Sequence, residues 1–124
     1  MIGIVNYGMG NIFSVLNAFE HLGEDVVICS ESKELEKVSR IVLPGVGAFP
    51  DCLAALRERE LIDILNYRVL NEKVPFLGIC LGMQVLAKSG EESGGSEGLG
   101  WLDSTVKKIE PSFRAFNLNS YNWD

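Results

Sequence analysis

The feature that most constrains this chain is the stretch at residues 74–84, where an apolar run, a sharp break and a helical pattern follow one another. Gly78 breaks the apolar run, and Cys80 then stands between Gly78 and Gly82. This order predicts a strand, a tight turn and a helix, since small flanking residues let the backbone double back. A side chain on such a turn projects past the strand end. Cys80 is therefore a candidate nucleophile, although most free cysteines serve as small buried apolar residues.

The composition is that of a globular protein with one domain. A chain of 124 residues buries roughly two-thirds of its unfolded surface, which is enough for a core. Hydrophobic residues make up 47% and charged residues 23%, and no block is of low complexity. The net charge of −6 leaves no basic surface to neutralise phosphates, which argues against nucleic acid as a partner.

Three cysteines, Cys29, Cys52 and Cys80, show no paired metal-type spacing. We expect Cys29 and Cys52 to be packed in the core. No apolar run approaches the roughly 20 residues needed to cross a bilayer, and Met1 leads directly into a strand. These observations predict a cytoplasmic protein in a reducing compartment, without metal, cofactor or membrane association.

Apolar runs alternate with helical patterns along the first 80 residues. The runs at residues 2–5, 25–29 and 40–43 predict buried parallel strands. Apolar residues at helical spacing predict a first helix that packs against the sheet, and these are Ile12, Val15, Leu16, Phe19 and Leu22. Further helices are expected at residues 50–59 and 60–71. The alternation predicts an α/β fold with a doubly wound, mostly parallel sheet and helices on both faces.

Two glycine-rich loops follow predicted strands. Gly45 and Gly47, after the third strand, can leave backbone N–H groups free for an oxyanion, or can serve only as a tight turn. In a doubly wound sheet this loop and Cys80 share the crevice at the carboxyl ends of the strands. Gly8 and Gly10 are more consistent with a tight turn than with a phosphate site, since neither dinucleotide nor P-loop motif is complete.

The part of the chain after Cys80 is less regular. Leu81, Val85 and Leu86 indicate a helix, and residues 89–98 indicate an acidic loop that is either plain surface or in contact with substrate. Alternating apolar residues at 102–109 predict a more exposed strand. We expect the domain at residues 1–110, followed by a divergent tail at 111–124 that shows no clear period.

Four motifs, in this order, make a specific set. They are Asn-Tyr-Gly-Met-Gly-Asn at 6–11, Leu-Pro-Gly-Val-Gly-Ala-Phe at 43–49, Phe-Leu-Gly-Ile-Cys-Leu-Gly-Met-Gln at 76–84 and Glu-Gly-Leu-Gly at 97–100. With them the chain up to about residue 111 resembles the glutaminase subunits of imidazole glycerol phosphate synthase, which are class I, triad-type glutamine amidotransferases of histidine biosynthesis. The resemblance implies their flavodoxin-like fold, incomplete at the C-terminus.

The resemblance also implies roles for individual residues. Cys80 would attack the side-chain amide of glutamine and form a glutamyl thioester, which water hydrolyses. The residues that would assist fall into two groups, backbone N–H donors to the oxyanion (Gly45, Val46, Gly47 and Leu81) and holders of glutamine (Gln84 and Glu92). Ammonia would pass to a (β/α)₈ cyclase or synthase subunit, docked as a heterodimer over the face that includes Asn11.

The family pattern also includes a histidine and a glutamate near the C-terminus, which activate the cysteine, and neither has a counterpart here. His21 is the one histidine, and its place opposite the apolar helix face predicts exposure to solvent rather than the role of base. We therefore expect a truncated, impaired copy. The alternatives are a non-catalytic binding module and a paralogue that supplies ammonia to a synthase of surface-polysaccharide biosynthesis; a flavodoxin-like cofactor binder is disfavoured.

Overall fold

A computed structural model describes residues 1–109. Its main sheet has four short parallel strands in the order β2-β1-β3-β4, and these strands are Ile2–Val5 (β1), Val26–Cys29 (β2), Arg40–Leu43 (β3) and Phe76–Gly78 (β4). Five helices connect or follow them, namely Ile12–His21 (α1), Ser32–Leu35 (α2), Phe49–Glu58 (α3), Ile62–Asn66 (α4) and Leu81–Gln84 (α5). A π-helical turn at Tyr67–Asn71 extends α4.

The strand order explains how both faces of the sheet are covered. The chain moves outward from β1 to β2 and then back past β1 to β3, so right-handed crossovers place α1 and α2 on opposite faces. This is the doubly wound, flavodoxin-like arrangement that the sequence predicts. Because the strands are parallel, their carboxyl ends lie at one edge of the sheet. The two glycine-rich loops and the Cys80 turn follow β1, β3 and β4 at this edge.

The two faces differ in how deeply they are buried. On one face α2, α3 and α4 cover a core that includes Tyr7, Phe49, Cys52 and Leu56. On the other face α1 packs on Ile2, Ile4 and Val42 with side chains that are only partly buried. The prediction that Leu22 packs against the sheet is wrong, because it lies beyond the end of α1 and is 73% exposed.

A second sheet follows the cysteine turn, where the sequence indicated a longer helix and then a loop. Its strands are Ala87–Gly90 (β5), Ser96–Glu97 (β6) and Leu102–Val106 (β7), in the order β6-β5-β7. The helix predicted through Leu86 ends at Gln84, and the strand predicted to Ile109 ends at Val106. Pairing of β5 with β6 and β7 outweighs the local helical pattern.

No helix within residues 1–109 is long and apolar enough to cross a membrane. The tail expected at 111–124 lies outside the described residues.

Candidate active site

Cys80 occupies a strained turn between β4 and α5. Its φ of 55° and ψ of −116° lie in a region that costs a non-glycine residue about 1–3 kcal/mol. Hydrogen bonds hold the turn, with the Ile79 N–H donating to the Leu43 carbonyl at 3.0 Å and the Gln84 N–H donating to the Cys80 carbonyl at 3.1 Å. The thiol is exposed. The predicted strand, turn and helix around Cys80 are therefore present.

The glycines on each side of Cys80 are required by close packing of the backbone. A Cβ on Gly78 would lie 2.5 Å from the Gly82 carbonyl oxygen, and a Cβ on Gly82 would overlap the Leu43 carbonyl. The end of β3 and the first turn of α5 therefore approach each other at backbone distance. This contact fixes where Cys80 projects.

The predicted oxyanion loop, which contains Gly45, Val46 and Gly47, lies directly beside this turn. One of the predicted oxyanion donors, the N–H of Leu81, already forms a hydrogen bond with it. The Leu81 N–H donates to the Gly45 carbonyl at 3.3 Å. Pro44 and Gly45 are buried, whereas Val46 is 57% exposed and Gly47 has a φ of 113°. The loop is thus fixed at its start and open at its tip.

Cys80 borders a cavity of about 390 Å³ between α1 and the oxyanion loop. Three other predicted site residues line it, namely Asn11, Gly45 and Val46. The remaining walls are mostly apolar, with Val15, Phe19, Leu22 and Ile79 among them. Asn11, at the start of α1, therefore lies on the same surface as the nucleophile.

Gln84 and Glu92 line a different cavity, of about 500 Å³, together with Phe49, Lys107 and Lys108. The structure does not place them in the cavity that Cys80 borders. Gln84 nevertheless lies one helical turn from Cys80, and Glu92 binds the start of α3, where its Oε1 accepts the Phe49 N–H at 2.8 Å. A carboxylate is favourable at a helix N-terminus. Glu92 thus connects the segment after β5 to the helix that follows the oxyanion loop.

Comparison with known proteins identifies the family. The model of the family described as glutamine amidotransferase class-I matches residues 3–119. This chain belongs to that family. A solved glutamine amidotransferase has the same fold as this chain, with a TM-score of 0.73 at 24% identity over 86% of this chain and 55% of that one.

Several curated relatives of this chain are named as subunits of one synthase. The chain is 41% identical, over its whole length, to 60% of imidazole glycerol phosphate synthase subunit HisH 2 of Methanococcus maripaludis. It is 46% identical over 92% of its length to 57% of the HisH subunit of Exiguobacterium sibiricum, and 48% identical over 88% to 51% of that of a Geobacillus species. The chain thus spans between half and three-fifths of the length of these relatives.

The sequence contains a single histidine. His21 is the last residue of α1, is exposed as predicted, and does not line the cavity that Cys80 borders. Cys29 and Cys52 are buried, also as predicted. Desolvation, with a smaller contribution from Glu34, raises the pKa of the Cys29 thiol to about 11. Within residues 1–109 no group of three or more His, Cys, Asp or Glu residues could hold a metal ion.

Tyr7 contacts the start of the Gly45 loop, which the sequence did not predict. It is 1% exposed, and its hydroxyl donates to the Pro44 carbonyl at 2.7 Å and accepts from the Cys52 thiol at 3.4 Å. Burial, reinforced by Cys52, raises the pKa of Tyr7. The sequence gives no signal for this contact, because the residues involved are 37 and 45 positions apart. The nearby Gly10 packs against Gly45, which favours a tight turn over a phosphate site.

Proposed function

We propose that this chain carries the nucleophile of a glutaminase, which releases ammonia from glutamine for imidazole glycerol phosphate synthesis in histidine biosynthesis. The observation that carries the proposal is the strained Cys80 turn, held against the Gly45 loop in a member of the class I glutamine amidotransferase family. The names of the curated relatives support the choice of synthase.

The proposed reaction begins with attack of the Cys80 sulfur on the side-chain amide carbon of glutamine. The carbon becomes tetrahedral, and its oxygen carries the negative charge. The C–N bond then breaks, the nitrogen takes up the proton that the thiol gave up and leaves as ammonia, and a γ-glutamyl thioester remains on Cys80. Water cleaves the thioester, which returns the thiol and releases glutamate.

The proposed oxyanion donors need one rearrangement. The Leu81 N–H cannot hold an oxyanion while it donates to the Gly45 carbonyl. Rotation of the peptide between Gly45 and Val46 would remove that carbonyl and turn the Val46 N–H toward the site. The absence of a Cβ on Gly45 and Gly47 and the exposure of Val46 make such a rotation sterically accessible.

The base of the proposed reaction is missing from the described site. His21 is the only histidine in the sequence, and it does not border the cavity beside Cys80. A base must lie within hydrogen-bond reach of the thiol or of one intervening water. A histidine and a glutamate from outside these 124 residues would have to supply this function, so we propose that this chain alone turns over glutamine near the background rate.

The proposed partner is a (β/α)₈ cyclase or synthase subunit that forms a cytoplasmic heterodimer with this chain. Its proposed docking face includes Asn11, which borders the Cys80 cavity. Phe13, two residues further along, is 69% exposed, and Val46 is exposed beside the cavity. Exposed apolar side chains around a site are typical of an interaction surface. The same face would suit a paralogous synthase.

A second candidate is a non-catalytic module that keeps the amidotransferase scaffold and binds glutamine or a partner. Within residues 1–109 no histidine lines the cavity beside Cys80, which favours this candidate. The strained turn argues for the first candidate, because strain of this kind persists where a site uses it.

The γ-thiobenzyl ester of L-glutamate distinguishes these candidates, since its leaving group departs as a thiolate and needs no proton. The Cys80 sulfur bonds to the γ-carbon and the bond to benzyl thiolate breaks. We expect mass spectrometry to find one γ-glutamyl group on Cys80, and none on Cys80→Ala. Equal slow labelling of the native and the denatured chain would favour the binding module.

A further inference from the structure

The Tyr7 hydroxyl lies directly beneath the start of the oxyanion loop. It donates to the Pro44 carbonyl at 2.7 Å, and a Cβ on Gly45 would overlap it. The ring is fully buried just after β1, so the hydroxyl is held by the core of the sheet. The Pro44 carbonyl is therefore tied to a rigid part of the molecule.

The next peptide of the loop has a different environment. The Gly45 carbonyl accepts a longer hydrogen bond, 3.3 Å from the Leu81 N–H, and the loop becomes exposed at Val46. The buried Tyr7 side chain thus holds the loop at the Pro44 carbonyl, just before the peptide of Gly45. The proposed rotation that frees the Leu81 N–H would therefore pivot at Pro44.

We infer that Tyr7 is a positioning residue for the acylation of Cys80. Its hydroxyl holds the Pro44 carbonyl, which confines rearrangement to the peptide between Gly45 and Val46 and keeps the N–H donors aligned with Cys80. The inference rests on the proposed function, because it assigns Tyr7 a part in the same oxyanion site. Without the hydroxyl, the start of the loop can rotate and its donors are no longer held in place.

Tyr7→Phe tests this inference, because it removes the hydroxyl and keeps the ring. Two reactions of Cys80 are compared in the whole chain, acylation by the γ-thiobenzyl ester of L-glutamate and alkylation by iodoacetamide. Acylation passes through an oxyanion, whereas alkylation is a direct displacement that forms none. We expect Tyr7→Phe to slow acylation at least roughly tenfold, since small misplacements of catalytic groups have large effects on rate. Alkylation should change less than about twofold.

Cys52→Ala is the matched control. It removes the other hydrogen-bond partner of the Tyr7 hydroxyl, from the same buried cluster, and leaves the bond to Pro44 in place. Both rates should stay close to those of the unaltered chain. Replacement of Tyr7 by 4-aminophenylalanine, whose N–H groups can donate to Pro44, should recover most of the acylation rate.

The outcomes separate this inference from the proposed function. If the unaltered chain acylates no faster than Cys80→Ala, the proposed function fails, and the role of Tyr7 with it. If the unaltered chain acylates and Tyr7→Phe does so equally fast, only the inference about Tyr7 is overturned. Parallel loss of acylation and alkylation, or failure of 4-aminophenylalanine in a folded chain to restore acylation, would show a merely structural role and also overturn it.

Discussion

Gly82→Ala perturbs the close packing that places Cys80. The added methyl carbon would lie 2.7 Å from the Leu43 carbonyl carbon, where ordinary contact between carbon atoms is about 3.5–4.0 Å. Either the end of β3 or the first turn of α5 must therefore move by at least about 1 Å. Overpacking of this kind costs about 1–3 kcal/mol. For a domain of this size each 1 kcal/mol lowers Tm by roughly 4–8 °C.

The same movement changes the position of the nucleophile relative to the Gly45 loop. A displacement of about 1 Å can cost a reaction roughly a hundredfold. We therefore expect Gly82→Ala to lower Tm, measured by circular dichroism, and to slow acylation of Cys80 by the γ-thiobenzyl ester about a hundredfold. Its alkylation by iodoacetamide should change far less.

Gly23→Ala is the control for this prediction. Gly23 has a φ of 83°, and a Cβ there would meet no atom within 4 Å, so the substitution adds backbone strain of about 1–2 kcal/mol without steric overlap. It should lower Tm and leave acylation unchanged. The reasoning is refuted if Gly82→Ala retains both Tm and the acylation rate, or if Gly23→Ala loses acylation to the same extent.

Three further predictions concern stability, the Glu92 contact and turnover. Because the pKa of Cys29 is raised by burial from 9.0 to about 11, the unfolded chain loses this proton first, and the free energy of unfolding should fall as pH rises from 9 to 11. Cys29→Ala should flatten that fall in urea titrations, and an unchanged slope would contradict the assignment. Glu92→Ala removes the acceptor of the Phe49 N–H, so we expect the free energy of unfolding to fall by about 1 kcal/mol, and to fall less in Glu92→Gln. Equal Tm values for the unaltered chain and both variants in thermal unfolding would contradict the contact. With a (β/α)₈ synthase partner present, this chain should release ammonia from glutamine at the background rate, and robust release in a coupled glutamate dehydrogenase assay would show that the missing base is not needed.

The main sheet and the cysteine turn could be predicted from the sequence because their signals are local. Apolar runs at residues 2–5 and 40–43 coincide with β1 and β3, and the glycines around Cys80 mark a turn that only small residues can form. The strands of a parallel sheet that is buried on both faces have continuous apolar sequences, which can be recognised without knowledge of the fold. The exposure of His21 followed from helical spacing alone.

The second sheet could not be predicted in the same way. Residues after Gln84 carry a weak helical pattern, but β5 forms because β6 and β7 pair with it and because Gly90 packs against the Phe49 ring. The contact between Tyr7 and Pro44 is likewise a product of the fold. The sequence motifs predict the oxyanion loop, but they do not show that the Leu81 N–H already donates to the Gly45 carbonyl, because residue types do not determine the orientation of a single peptide group.

Labelling by a chloroketone analogue of glutamine, L-2-amino-4-oxo-5-chloropentanoate, tests the central claim most directly. The claim is that the fold presents Cys80 as a nucleophile directed at glutamine. We predict one adduct per chain on Cys80, formed at a saturable rate, slowed by added L-glutamine and much slower with the D-enantiomer. Absence of the adduct would contradict the claim. Labelling that L-glutamine does not slow, and that proceeds at the same rate with both enantiomers of the chloroketone, would also contradict it.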